Sequence, residues 1–132
     1  ALAIDEASYG NDHPNVARDL NNMAQLLQAT NRLAEAEPLM RRALAIDEAS
    51  YGNDHPNVAR DLNNMTMLLQ DTNRLAEAEA LSGRAARIFL ASLGMDHPNT
   101  QKVRGNYLKI LQAQSLPEIE IEAKLVALEH PG

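Results

Sequence analysis

Apolar residues recur along this chain at helical spacing, and the whole pattern then repeats. Ala17, Leu20, Met23, Ala24 and Leu27 make one stripe of an α-helix, three or four residues apart along a face. Leu33, Ala36, Leu39, Met40, Ala43, Leu44 and Ile46 make a second. Only Ala29-Thr30-Asn31-Arg32 separates them, short enough to force antiparallel neighbours. The first stripe returns as Ala59, Leu62, Met65 and Leu69, with Thr66 in the place of Ala24. Gly10, Gly52 and Gly94 follow the second helices, where a left-handed terminator belongs, and Pro14, Pro56 and Pro98 suit the first turn of the next helix. The spacing predicts helices over 1–9, 14–29, 33–51, 56–71, 75–93, 98–113 and 116–129. Ser115-Leu116-Pro117-Glu118 reads as a capping box opening the last of them.

Residues 1–42 and 43–84 match at 36 of 42 positions, the mark of a repeat array in which one helical unit stacks on copies of itself. The expected division is a partial repeat at 1–10, full units at 11–52 and 53–94, the first helix of a divergent unit at 95–115, and a capping helix and tail at 116–132. Ala1–Gly10 repeats as Ala43–Gly52, the second half of a second helix, so the chain is expected to have been cut from a longer one. Ser82, Arg104 and Tyr107 depart from the pattern and put ideal packing in doubt at those places.

Composition narrows the partners. The 132 residues carry a net charge of −6 and are only 3% aromatic, which disfavours phosphate backbones and base stacking, so nucleic acid is not expected. No cysteine is present, which excludes disulfides and thiolate zinc sites, and no run approaches a membrane span. A cytoplasmic location is the expectation, with no cofactor.

The order Leu20, Met23, Ala24, Leu27, then Ala36 and Met40, resembles the tetratricopeptide repeat. The period of 42, against about 34 in the usual form, is similar to the kinesin light chain type, as are AEAEPLMRRALAI and YGNDHPNVARDLNNMAQLL. That resemblance implies an all-α, right-handed superhelical solenoid of antiparallel helix pairs, about two and a half to three repeats with a terminal cap. It also implies a concave groove lined by the first helix of each repeat, where members of the family hold peptides. The residues opposite the apolar stripe are then Arg18, Asn21, Asn22 and Gln25, followed by Arg60, Asn63, Asn64 and Met67, and by Lys102, Asn106 and Lys109. Amides can pair with both donors and acceptors of an extended backbone. The cations can hold carboxylates at about 1.5–3 kcal/mol per shielded hydrogen bond, so an acidic peptide is the expected partner.

Other chemistry fits less well. His13, His55 and His97 recur in Asp-His-Pro, but stacked helices lie roughly 10 Å apart while one metal ion needs ligands at about 2.1 Å. Capping by Asp or His suits them better, and no metal is expected. Glu35/Glu37 and Glu77/Glu79 sit where a helix dipole favours acids, and no nucleophile or phosphate-loop motif is present. An enzyme is therefore not expected. Two other readings remain open: a structural solenoid that self-associates through its exposed repeat ends, and the sensor array of a larger bacterial signalling protein.

Overall fold

A computed structural model describes residues 13–129. Among these, six helices and no strand occur: α1 (Pro14–Ala29), α2 (Leu33–Tyr51), α3 (Pro56–Asp71), α4 (Leu75–Leu93), α5 (Pro98–Ala113) and α6 (Glu118–Glu129). The helix expected at 1–9 and the terminator role of Gly10 lie outside the described residues. Consecutive helices pack side by side, α1 on α2 and α3 on α4 most extensively, while α6 closes over α4 and α5. The architecture is an all-α solenoid of helix pairs.

Local chemistry sets each helix end. His13, His55 and His97 stand extended before α1, α3 and α5, and each Nδ1 accepts the backbone N–H two residues on, at 3.0, 3.0 and 3.1 Å. The histidine, not the preceding aspartate, is thus the cap, and Pro follows where no N–H is needed. At the other end of these helices Asn31, Asn73 and Ser115 take φ of 61°, 57° and 60°, a left-handed turn that Asn tolerates better than most residues. Arg32 N–H then reaches back to Leu27 O at 2.7 Å and Arg74 N–H to Leu69 O at 2.8 Å, closing the last turn.

Two sequence expectations change here. Gly52 and Gly94 do have positive φ, 86° each, but their ψ of 173° and 166° is extended; they release the chain straight from the helix. Ser115 occupies the register of Asn31 and Asn73 and ends α5 instead of capping α6. The first turn of α6 forms on Pro117 O, which accepts from Glu120 N and Ile121 N at 3.0 Å each.

Burial follows the stripes. Val16, Ala17, Leu20, Ala43 and Ile46 meet between α1 and α2; Met40, Met65, Leu69, Ala78 and Ile110 form a cluster that runs across the repeats. Met23 departs from expectation: it is 43% exposed, whereas its copy Met65 is 0% exposed. Met65 is preceded by α2, while the segment preceding α1 falls outside the described residues.

The divergent positions compensate one another. Tyr107 replaces methionine and is buried, and its ring lies 3.2 Å from where a Cβ on Gly83 would stand. Gly83 takes the place of Arg41, so the larger ring and the missing side chain fit together. Arg104 of the divergent unit keeps its Nε buried without a hydrogen-bond partner, and Ser82 of the unit before it likewise keeps its hydroxyl, so packing is less ideal at both places.

On the α2/α4 side, charge ties the repeats together. Glu37 holds Arg41 at 2.7 Å and Arg74 at 2.6 Å, and Glu77 holds the same two at 2.8 and 2.7 Å. These groups are largely exposed, so they contribute modestly to stability.

Gly52→Ala should lower unfolding stability by about 1–2 kcal/mol in a denaturant titration, because only glycine adopts this φ and ψ cheaply. The added methyl meets no atom within 4 Å, so any loss reports backbone strain alone. An unchanged midpoint would show that the loop relaxes freely.

Candidate functional site

α1, α3 and α5 lie in parallel register, and side chains bridge them. Gln28 Nε2 donates to Asp71 Oδ2 at 3.2 Å, and Asn106 Nδ2 donates to Asn63 Oδ1 at 3.4 Å. The surface they form holds three adjoining hollows. The largest, about 520 Å³, lies over α3 and α5, with Arg60, Asn63, Asn64 and Lys102 at its rim. Phe89, Leu93 and Val103 supply its apolar floor. A second, about 120 Å³, is lined by Arg18, Asn21, Asn22, Gln25, Arg60 and Asn64. The third, about 150 Å³, includes Arg18, Asp47, Tyr51 and Arg60. Arg60 lines all three.

The structure therefore brings together Arg18, Asn21, Asn22, Gln25, Arg60, Asn63, Asn64 and Lys102. Met67 and Lys109 are exposed outside these hollows, and Asn106 reaches them only through its bond to Asn63. Asn21 differs from its expected role. It is buried, and its Nδ2 donates to Asp61 Oδ1 at 2.7 Å, so it braces α1 against α3 more than it faces a partner.

Asp61 and Asp47 went unnoticed as sequence. Asp61 is 1% exposed and Asp47 2%, an unusual depth for aspartate. Arg60 Nη2 lies 3.8 Å from Asp47 Oδ2 and 3.8 Å from Asp61 Oδ1, beyond direct hydrogen bonding. The Oδ2 atoms of both aspartates, and Asn21 Oδ1, are buried with no hydrogen-bond partner. Burial, then the hydrogen bond and charge of Asp47, push the Asp61 carboxyl up to about 8, against the weaker pull of the Asn21 amide and the Arg60 charge. Burial with so little compensation favours the protonated form of the Asp61 carboxyl. The signal lay one repeat later, where Phe89 and Val103 stand in the registers of Asp47 and Asp61.

The histidines are occupied by capping, and the His55 ring also stacks on Tyr51 with centroids 4.4 Å apart. Among the described residues no group of three or more His, Cys, Asp or Glu is placed to hold a metal ion. Among them, too, no helix is long and apolar enough to cross a membrane.

The folded-state shift of Asp61 is upward, so its contribution to stability is complete below its unfolded value of 3.8 and is lost as pH rises through about 8. Glu77 works in the opposite sense: Arg41 holds its carboxyl below the usual range, and that contribution is lost in acid. Asp61→Asn, which keeps the shape of the protonated carboxyl, should gain more stability over the parent at pH 9 than at pH 5. The gap should widen by a few kcal/mol between the two, about 1.4 kcal/mol for each pH unit below the folded value. Thermal unfolding by circular dichroism at both pH values checks this, and an equal effect at the two would refute the protonated Asp61.

Comparison with known proteins agrees with this architecture. A family model for the tetratricopeptide repeat matches residues 1–49 and 20–91, together more than half of the chain. No curated protein sequence matches. Among solved structures, one from Podosopora anserina, described as a kinesin light chain with nearly identical TPR-like repeats, superposes with a TM-score of 0.83 at 20% identity. It covers 98% of this chain, which in turn spans 63% of that protein's length. A single-substitution variant of that same fungal protein gives a TM-score of 0.74 at 19% identity, covering 98% of this chain and 60% of the variant. At such identity the likeness carries the fold, and the repeat motif carries the family: this chain belongs to the tetratricopeptide repeat family.

Proposed function

We propose that α1, α3 and α5 present a groove for an extended, acid-containing segment of a partner protein. The tetratricopeptide fold is in general a protein–protein interaction module, and the placing of Arg60 supports the finer reading. This one guanidinium, about half exposed, borders all three hollows, with Arg18 and Lys102 on either side. A line of cations in a chain of net charge −6 is a local reversal of sign, and such a reversal attracts and orients carboxylates. Asn22, Asn63 and Asn64 border the same hollows as the cations, and their amides can meet both donors and acceptors of an extended strand. The full units at 11–52 and 53–94, with the divergent helix at 95–115, would then each supply one cation to the groove.

A fluorescent acidic peptide library, read by polarisation, tests this reading. The Arg60→Ala/Asn64→Ala double variant should weaken binding by on the order of tenfold or more. Unchanged affinity would mean that the peptide sits elsewhere.

A second reading, end-to-end association of copies, is favoured by a different observation. Leu26 of α1 is 69% exposed where its copy Leu68 is 0% exposed, and Ile119 and Val126 of α6 are exposed as well. Exposed apolar side chains on α1 and on α6 suit a heterologous contact between copies. Sedimentation across a concentration range should show mass rising with concentration, and Leu26→Glu should abolish the rise. A monomer at all concentrations rules the contact out.

A further inference from the structure

The two joints between groove helices are built from different chemistry. Between α1 and α3 lie Asn21, Asp47 and Asp61; one repeat later the last two positions are Phe89 and Val103. The first joint thus holds two buried carboxyls where the second, at which the divergent unit joins, holds two apolar side chains. Arg60 sits directly over the carboxyl joint, at 3.8 Å from each aspartate. Lys102, its counterpart, sits over the apolar one.

We propose that Asp61, buried beside Asp47 beneath the groove, takes up and releases a proton and so governs how strongly Arg60 attracts a partner's carboxylate. The proposal rests on the acid-binding reading of the groove and adds its regulation. With Asp61 protonated, the pair carries one negative charge and Arg60 balances it. When the proton leaves, two carboxylates face one guanidinium, and the local charge turns from neutral to negative. A ligand carboxylate then meets repulsion from a buried, poorly screened source a few ångströms below its own binding cation.

Geometry makes the pair suited to this task. Both Oδ2 atoms are buried and accept from no neighbouring N–H or hydroxyl group, so the doubly charged form gains little local compensation. Asn21 donates to Asp61 Oδ1, the one side-chain amide bond to this carboxyl among the described residues. The charged groups facing the pair are few. From α3 there is Arg60; from α1, Arg18 borders the same hollow as Arg60 and Asp47. Asp19, the copy of Asp61, lies one repeat earlier, with a buried Oδ2 of its own. Glu48, next to Asp47 on α2, is held by Arg84 of α4 at 2.7 Å. His55 caps α3 through its Nδ1. Burial and the Asp47 charge raise the Asp61 carboxyl toward physiological pH, which puts the exchange within reach of ordinary conditions.

The test is a binding titration between about pH 7.5 and 9.5, above the histidine range and below that of lysine. An acetylated acidic peptide that binds the parent near pH 7 serves as the probe. Affinity should weaken about three- to tenfold as pH rises. Asp61→Asn should bind with a flat profile at the parent's low-pH affinity. Lys102→Ala should bind more weakly yet keep the pH dependence, and Arg60→Ala should lose it. Carbon-13 NMR of the aspartate carboxyls follows the proton directly, and a chain whose Asp61 titrates near its unfolded value overturns the proposal. So does binding that is flat with pH in the parent, or equally steep in Asp61→Asn, while the groove reading survives both. A chain that binds no acidic peptide at any pH overturns the groove reading and the control together.

Discussion

The same methionine is fully buried at position 65 and 43% exposed at position 23, although the helices around the two are nearly identical in sequence. Around Met65, Met40 of α2, Ala78 of α4 and Ile110 of α5 stand in one cluster. One helix pair has apolar residues on more than one face, and a single partner helix covers only one of them. Leucine behaves alike at positions 68 and 26. Burying a side chain of this size is worth about 1.5–3 kcal/mol, so stacking the next pair supplies stability that no pair can find alone. Small residues make the approach possible: Ala17, Ala43, Ala59 and Ala85 are all fully buried along these contacts.

That stacking also builds the groove. Once α1, α3 and α5 are held side by side, residues 42 apart in sequence fall into rows across their shared surface, and Arg18, Arg60 and Lys102 become one row. The histidine caps contribute by starting each of these helices at the same register. The opposite side carries a different row, the Glu37–Arg41–Arg74–Glu77 network, which links second helices only. Each face of the array thus has its own means of keeping neighbours in phase.

Much of this was legible from residue spacing. Helix bounds followed from Pro after His and from the stripes, because those signals are local. Arg18, Asn22, Arg60 and Asn64 share one face by helical spacing, and they line one hollow. The bond of Asn21 to Asp61 was not legible, because helical periodicity locates a face only to within about one residue's rotation and Asn21 lies at the margin where the next helix closes in. The aspartate pair was missed for another reason. Asp47 and Asp61 lie on different helices, and nothing local distinguishes a buried aspartate from a solvated one. Ser115 misled because Ser-x-x-Glu is a common local pattern, while the 42-residue register had already assigned that place to a left-handed turn.

Near-identical repeats carry a hazard of their own, since any first helix could dock on any second helix as the chain collapses. The fit of Tyr107 against Gly83 bears on that hazard. Were α5 to settle on α2 instead of α4, the tyrosine ring would meet Arg41 where it now meets no side chain, and Val103 would lie against Asp47 instead of Phe89. Both mismatches oppose the misdocked form, one by crowding and one by stranding a carboxylate on hydrocarbon. The few positions at which the copies disagree therefore act as addresses, telling otherwise interchangeable helices where in the stack they belong.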